Sequence, residues 1–332
     1  MLLSVRWLRS VLLVLCAALI LSAGCQAGSD DSDDGTGLQE ATVPHEGAWG
    51  IYALNLSTRA VELIWSGNDT ITCRCLNHAG NVLAFSRKAD GTRDSDEEIF
   101  SINVDGTGLR RLTGNSCRDL FPTYSPDDSR IAYLSMRSTM DIYVMDSDGG
   151  NQRLLYDSGS HDSDINWGSG GRIAFTRNSR IWSIREDGSD PRQVTSPPRA
   201  GEWGKANLPF GDYDPCFNPD GSRMAFERLE DDASSHGNYN LFVIGSDGAG
   251  ETRLTSTGYS QGLAVWSHSG DRIVYIVAAE GDRGVFDIHM INSDGSDDRN
   301  ITPDYFPASF LCHSALFSRD DSLVYFTGQW YA

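Results

Sequence analysis

Eight polar residues recur at one kind of position in this chain, and their side chains could bind a cation or a basic partner. The sequence contains a repeat in which a polar residue follows an aromatic or apolar residue, and we call this polar residue the polar marker. Each of the eight residues lies a few positions before a polar marker. They are Asp119, His161, Asp162, Asp164, Asp212, Asp214, Gln261 and His313. Carboxylates, amide oxygens and imidazoles suit a basic peptide, a cationic protein loop or a divalent cation. Their spacing matches no catalytic or metal-binding motif, so we predict no catalytic residue and no resident cofactor or metal.

These residues belong to a long repeat. An aromatic residue, a polar residue and a tight turn recur, as at residues 124–128 and 217–221, with successive copies 43 to 51 residues apart. A short apolar run follows each turn, and then a phrase such as Asp-Ile-Tyr-Val-Met-Asp-Ser-Asp-Gly at residues 141–149. Short β-branched and aromatic runs at this period are typical of four-stranded propeller blades.

Counting the strands predicts how the ring closes. We name the strands of a blade a, b, c and d from the central channel outward. Residues 47–70 carry only a c strand and a d strand, and residues 311–332 carry only an a strand and a b strand. The sequence therefore predicts an all-β, six-bladed β-propeller over residues 47–332. Its last blade would combine both ends of the chain and leave no open sheet edge.

The Ser-Pro-Asp and Asp-Ile-Tyr-x-Met-Asp-x-Asp-Gly phrases resemble the repeats of the TolB-type β-propeller family. The resemblance covers nearly all of residues 47–332 and implies the fold. It implies less about function, because such propellers serve as interaction platforms and also occur in peptidases and polysaccharide lyases. The α/β domain that precedes the propeller in TolB is expected to be missing, so TolB's own partner contacts are not carried over.

The N-terminus resembles a lipoprotein signal. Residues 1–24 hold two arginines, a short apolar core and a Leu-Ser-Ala-Gly-Cys box that ends at Cys25. We predict that Cys25 is lipidated, with an ordinary cleaved signal as the alternative. Gln26, where an Asp would favour inner-membrane retention, favours the outer membrane. Residues 25–46 are acidic and rich in Gly and Ser, and they predict a flexible tether that leaves the propeller in the periplasm or at the cell surface.

The net charge of −19 excludes a nucleic-acid role, because no basic stripe is present to neutralise phosphates. The cysteines beyond the tether are expected to be mostly buried thiols. Cys75 and Cys216 would lie on opposite blades, and any single disulfide would include Cys117. The protein is expected to be monomeric.

Strand direction sorts the loops into two ends. The a strands begin at one end, the top, where the long and dissimilar loops also lie, and repeated Asp-Gly turns occupy the bottom. The eight polar residues would then surround the top mouth of the channel. Four aromatic residues would form its rim: Trp203, Tyr213, Tyr305 and Phe306. Alternatively, each Asp caps a turn between blades.

The predicted function is an envelope protein-binding scaffold without enzymatic activity. Binding of a glycan or of peptidoglycan is the alternative. A metal-dependent reaction like that of the polysaccharide lyases is a weaker one, in which two histidines, Gln261 and aspartates would hold a divalent cation at the mouth.

Overall fold

The structure is a computed structural model that describes residues 48–89, 97–204, 209–231, 238–279, 285–307 and 309–330. The predicted signal peptide, Cys25 and the tether lie outside these residues. The described residues form 24 strands, with no α-helix among them. Accordingly, they contain no helix of the length and apolarity needed to cross a bilayer.

The strands follow one another in chain order around the ring. The first twelve are β1 (Trp49–Asn55), β2 (Val61–Gly67), β3 (Ile71–Leu76), β4 (Val82–Lys88), β5 (Glu97–Asn103), β6 (Arg110–Arg111), β7 (Arg118–Tyr124), β8 (Arg130–Met136), β9 (Met140–Asp146), β10 (Arg153–Tyr156), β11 (Asp162–Gly168) and β12 (Arg172–Arg177). The others are β13 (Arg180–Arg185), β14 (Arg192–Gln193), β15 (Gly211–Phe217), β16 (Arg223–Asp231), β17 (Asn238–Gly245), β18 (Thr252–Arg253), β19 (Ser260–Trp266), β20 (Arg272–Ala279), β21 (Val285–Asn292), β22 (Arg299–Asn300), β23 (Phe310–Phe317) and β24 (Leu323–Trp330).

Six four-stranded sheets form six blades, and the predicted closure is confirmed. Blades 1 to 5 are β3–β6, β7–β10, β11–β14, β15–β18 and β19–β22. Blade 6 has the order β23, β24, β1, β2, so it joins both ends of the described chain. Strand β1 pairs with β24 antiparallel over its whole length, from Trp49 opposite Gln329 to Asn55 opposite Leu323. The pairing removes the open edges that either half-blade would have alone.

One aromatic residue on strand b of every blade anchors the core. The residues occupy the same position in the repeated apolar run and are completely buried: Phe85, Tyr133, Phe175, Phe226, Tyr275 and Phe326. Burial of such a side chain stabilises the fold by about 1.5–3 kcal/mol. The sequence repeat thus places an equivalent buried aromatic residue in each of the six blades.

Aspartates in the a–b turns hold neighbouring blades together at the bottom. The carboxylate of Asp128 accepts the backbone N–H groups of His78 and Ala79 in the preceding blade, at 2.7 and 2.8 Å. Asp321 accepts the backbone N–H of His268 in the same way, at 2.7 Å. Both aspartates have a φ of +59°, which Asp tolerates better than most residues. The Asp-Asp form of the turn therefore links blades as well as reversing the chain.

The five cysteines of the described chain are free thiols. Cys75 and Cys216 are buried, as predicted, and lie on blades 1 and 4, which face each other across the ring. The Sγ of Cys75 accepts the backbone N–H of Tyr124 at 3.2 Å. The single bridge considered for Cys117 is not formed in the structure.

Candidate functional site in the central channel

The register of the innermost strand breaks in every blade. The breaks are β-bulges, which re-aim side chains away from the regular ladder. One residue at each bulge, in blade order, is Arg74, Phe121, Asp164, Asp214, Leu263 and His313. The four from blades 2 to 5 have positive φ, between 51° and 59°. The bulges change the alternation of side chains along the strands that line the channel.

An ion pair crosses the channel at this level. The Nη1 of Arg74 in blade 1 donates to the Oδ1 of Asp214 in blade 4, on the opposite side of the ring. Both side chains are largely buried. The pair therefore ties opposite blades together through the middle of the channel. Arg74 was not among the predicted site residues.

Two further carboxylates surround this ion pair. Burial, and after it the charge of Asp214, raises the pKa of Asp164 to about 7. The same two causes raise the pKa of Glu227, on β16, well above its usual range. The Oε2 of Glu227 accepts the backbone N–H of Leu263 at 2.9 Å, so its position is set by the bulge of blade 5. One guanidinium among three carboxylates favours proton retention near neutral pH.

The described chain contains no group of three or more His, Cys, Asp or Glu side chains arranged to hold a metal ion.

Three predicted site residues are buried above the bulge level: Asp119, Asp162 and Asp212. Asp212 forms a two-pronged ion pair with Arg228 at 2.5 and 3.0 Å, and Arg228 also contacts Glu251 at 2.7 Å. Asp119 and Asp162 accept hydrogen bonds from polar side chains four residues earlier, each at 2.7 Å. The contacts of Asp119 and Asp162 match the alternative that the aspartates fasten the loops between blades, whereas Asp212 joins β15 to β16 within blade 4.

The remaining polar candidates do not form one cluster. His313 lies against Trp49, with ring centroids 4.4 Å apart, and burial lowers its pKa to about 3, so the ring is neutral. His161 is exposed, and its Nδ1 accepts the backbone N–H of Met140 at 3.1 Å. Gln261 is 2% exposed, and its side-chain oxygen finds no hydrogen-bond partner among the described residues.

The four predicted rim aromatics separate into different environments. Trp203 is 53% exposed, in the loop that leads into blade 4. Tyr213 is buried, and Phe306 packs partly buried against the core of blades 5 and 6. Tyr305 is exposed, but its hydroxyl donates to the carbonyl oxygen of Arg59 at 3.2 Å, in the turn between β1 and β2. That turn belongs to the outer half of blade 6, away from the channel lining.

A fifth aromatic residue, Tyr259, was missed. It immediately precedes β19, at the top of the innermost strand of blade 5, and 49% of it is exposed. Trp203 and Tyr259 thus leave two large aromatic surfaces exposed at the top of adjacent blades. The sequence signal was present, since a polar Ser-Thr-Gly-Tyr-Ser loop rarely buries its tyrosine.

The bottom end also contains a cavity, which differs from the expectation that only repeated turns lie there. A cavity of about 390 Å³ lies between the ends of the innermost strands and the a–b turns. A second cavity of about 60 Å³ lies at the bulge level. Arg74 borders both, whereas Asp164 lines only the smaller one. The channel is thus divided at the level of Arg74.

The architecture defines a six-bladed propeller, and sequence comparison finds TolB-like relatives for it. The chain is 30% identical to a TolB homologue of Chlorobium luteolum over 166 residues, which cover 48% of this chain and 34% of that protein. It is 28% identical to the Tol-Pal system protein TolB of Anaeromyxobacter dehalogenans over 165 residues, 47% of this chain and 34% of that one. The chain thus spans about a third of these relatives' length. It matches no protein-family profile.

Solved structures agree on the architecture. A putative TolB from Agrobacterium tumefaciens superposes with a TM-score of 0.65 at 17% identity, over 86% of this chain and 98% of that one. TolB from Acinetobacter baumannii superposes with a TM-score of 0.58 at 17% identity, over 76% of this chain and 63% of that one. At this identity the likeness concerns the fold. The chain therefore has TolB-like relatives and a TolB-type six-bladed propeller.

Proposed function

We propose that the protein is a binding scaffold of the bacterial envelope, which captures a protein partner through the top face of its propeller and is not an enzyme. The observation that carries the proposal is the pair of exposed aromatics, Trp203 and Tyr259, above a rigid ring. Large aromatic side chains dominate the energy of protein interfaces. The TolB-like relatives, three of them named as Tol-Pal system proteins, support an envelope setting.

Contacts at the start of blade 4 also support binding at the top face. The ion pair of Asp212 and Arg228 lies beneath the start of blade 4, and Trp203 belongs to the loop that enters this blade. Trp203 forms an antiparallel bridge with Pro209, which precedes the first strand of blade 4. A surface held in place before binding loses less entropy when the partner docks.

The predicted lipid anchor at Cys25 belongs to this proposal. An anchored propeller on a short acidic tether would remain near the membrane and meet partners there. Metabolic labelling with a palmitate analogue should mark the unchanged protein and not Cys25→Ser. Equal labelling of both proteins would remove the anchor from the proposal.

The binding face can be tested by capture from envelope extracts, with the bound proteins quantified. Trp203→Ala and Tyr259→Ala should each weaken capture of the specific partner at least about 30-fold, and the double variant should weaken it further, because each substitution removes an aromatic anchor worth about 2 kcal/mol or more. Tyr305→Ala is the matched control, since it truncates an equally exposed aromatic in the outer half of the ring. Weaker capture by Tyr305→Ala, together with unchanged capture by the double variant, would place the interface away from the top face. Specific capture on a glycan array instead would favour the glycan-binding alternative.

A further inference from the structure

One position of the turns around the bottom cavity is proline in two blades, serine at Ser169 in blade 3, and histidine or arginine in the other three. The second residue after the aromatic is proline in blades 2 and 4, at Pro126 and Pro219. In blades 5, 6 and 1 it is replaced by His268, Arg319 and His78. These three blades are neighbours in the closed ring, so the three replacements form one continuous side of the opening, which we call the basic arc.

All three residues of the basic arc line the 390 Å³ cavity, and Arg74 lines it at greater depth. No carboxylate is among the residues that line it in the described chain. This is unusual in a protein with 46 acidic and 27 basic residues. Two carboxylates lie near the arc, on Asp128 and Asp321, but both accept backbone N–H groups of the a–b turns. Asp321 also lies 3.5 Å from the Nδ1 of His268, and Arg74 is paired with Asp214, so Arg319 is the basic side chain of the wall whose charge the described carboxylates leave unpaired.

Arg319 supplies a permanent charge to the arc. The described chain contains no ion-pair partner for it, and the residue is exposed. Its stem lies against Gly80 of blade 1, where an added Cβ would be 2.4 Å from the Cβ of Arg319. Glycine at position 80, with a φ of +81°, thus provides the space through which the arginine reaches the opening.

We propose that the bottom cavity binds a small organic carboxylate, with Arg319 as its main charge partner and the imidazoles of His78 and His268 as further contacts. A guanidinium matches the two oxygens of a carboxylate, and the match gives direction as well as charge. The volume falls in the range of small-molecule sites, about 300–1,000 Å³. The wall also offers polar side chains, such as Asn166 and Ser267, for hydroxyl or amide groups of the ligand.

Citrate is a suitable probe, because it carries carboxylates and fits the volume. The full chain is titrated with citrate at constant ionic strength, with binding followed by calorimetry and by the fluorescence of Trp167 and Trp266, which line the cavity. We expect saturable binding, and about 10- to 100-fold weaker binding by Arg319→Gln, as for loss of a charged hydrogen bond. Arg110→Gln is the control. It removes the same charge from an exposed position on β6, the outer strand of blade 1, and should bind citrate unchanged.

Three results would overturn the proposal. One is the absence of saturable citrate binding to the unchanged protein. A second is equal affinity of Arg319→Gln and the unchanged protein, which would place any binding elsewhere. The third is equally tight binding of glycerol, a neutral molecule, because the site would then recognise no charge. Melting temperatures of both variants should match the unchanged protein, since both arginines are exposed.

Discussion

The two ends of the channel use charged residues in opposite ways. At the top, the carboxylates of Asp119 and Asp212 are buried and bonded to Asn115 and Arg228, and two large aromatic side chains, Trp203 and Tyr259, are exposed. At the bottom, turn aspartates satisfy backbone groups, and basic side chains face an open cavity. Charge by itself therefore does not mark a binding surface in this fold; the exposed or buried state of the charge decides its role.

The difference follows from the construction of a blade. The turns at the bottom are short and fixed, so a residue that departs from the repeat there projects into the cavity. The loops at the top must cross from the outer strand of one blade to the inner strand of the next, and they need polar anchors at the point of entry. The same residue type, aspartate, is thus used for attachment at both ends.

The largest expected effect is at the top. Asp212→Ala would leave Arg228 buried with only Glu251 as its partner, and loss of one member of a buried ion pair costs about 3–5 kcal/mol. Urea unfolding measures this loss. Asp304→Ala, at an exposed loop position, should change the free energy of unfolding by less than about 0.5 kcal/mol. Equal stabilities for the two variants would mean that the ion pair of Asp212 and Arg228 does not stabilise blade 4.

A substitution at the bulge level should come next. In Gly262→Ala the new Cβ would lie 1.8 Å from the Oε2 of Glu227, whose carboxylate holds the backbone of Leu263. Overpacking of this kind costs about 1–3 kcal/mol. Gly258→Ala is a matched control on the same segment, because nothing lies within 4 Å of its added Cβ. Thermal unfolding of the two variants separates the effects, and a stable Gly262→Ala protein would contradict the packing of Glu227.

The third expectation concerns pH. The pKa of Asp164 is raised to about 7, against about 4 in an unfolded chain, so the folded state holds the proton more tightly. The stability from this group is complete below about pH 4 and is lost as pH rises towards 7. Asp164→Asn should remove up to about 1.4 kcal/mol per pH unit of that decline. Urea unfolding at pH 5 and pH 7 compares the variant with the unchanged protein.

The comparison cancels groups that titrate in both proteins independently of Asp164; Glu227 does not cancel, because the charge of Asp164 is one cause of its raised pKa. His313 acts in the opposite direction, since its pKa is lowered to about 3 and its stabilisation is lost as pH falls below about 6.5. It is present in both proteins and drops out of the difference. Identical pH slopes would show that Asp164 is ionised in the folded state at pH 5.

The smallest effect is expected at a bottom turn. The carboxylate of Asp294 accepts the backbone N–H and the hydroxyl of Ser296, at 2.9 and 2.6 Å, within one c–d turn. Asp294→Ala should therefore cost about 0.5–1.5 kcal/mol, and it should alter neither partner capture nor citrate binding. A loss of partner capture with this variant would place the protein interface at the bottom and reverse the comparison.

The fold could be predicted from the sequence because its signals are periodic. Each blade repeats the same apolar run, as at Phe85 and Phe326, and the two half-blades at the ends of the propeller region add up to one. The residues of the basic arc could also have been found, since His268 and Arg319 occupy a position where the repeats of blades 2 and 4 have proline. Their role required knowledge that blades 5, 6 and 1 meet around one opening.

The site could not be predicted as well, because β-bulges change the alternation of side chains. Arg74 lies three residues before the polar marker of its repeat, whereas Asp164 and Asp214 lie four residues before theirs. An alignment of the repeats therefore places Arg74 at a different position from the two aspartates, although the structure brings it to Asp214. Burial could not be predicted either. The sequence does not show whether an aspartate at the start of a strand faces solvent or pairs with an arginine such as Arg228.

The sequence by itself determined the number of blades, their strand order and the way the ring closes, because these depend on period and on hydrophobic pattern, which are local properties. Only the tertiary structure decided which charges meet across the ring, which aspartates are covered and which side chains line the cavity at the bottom. Those outcomes depend on contacts between blades that lie far apart in sequence. A difference of one residue at a bulge is enough to change them.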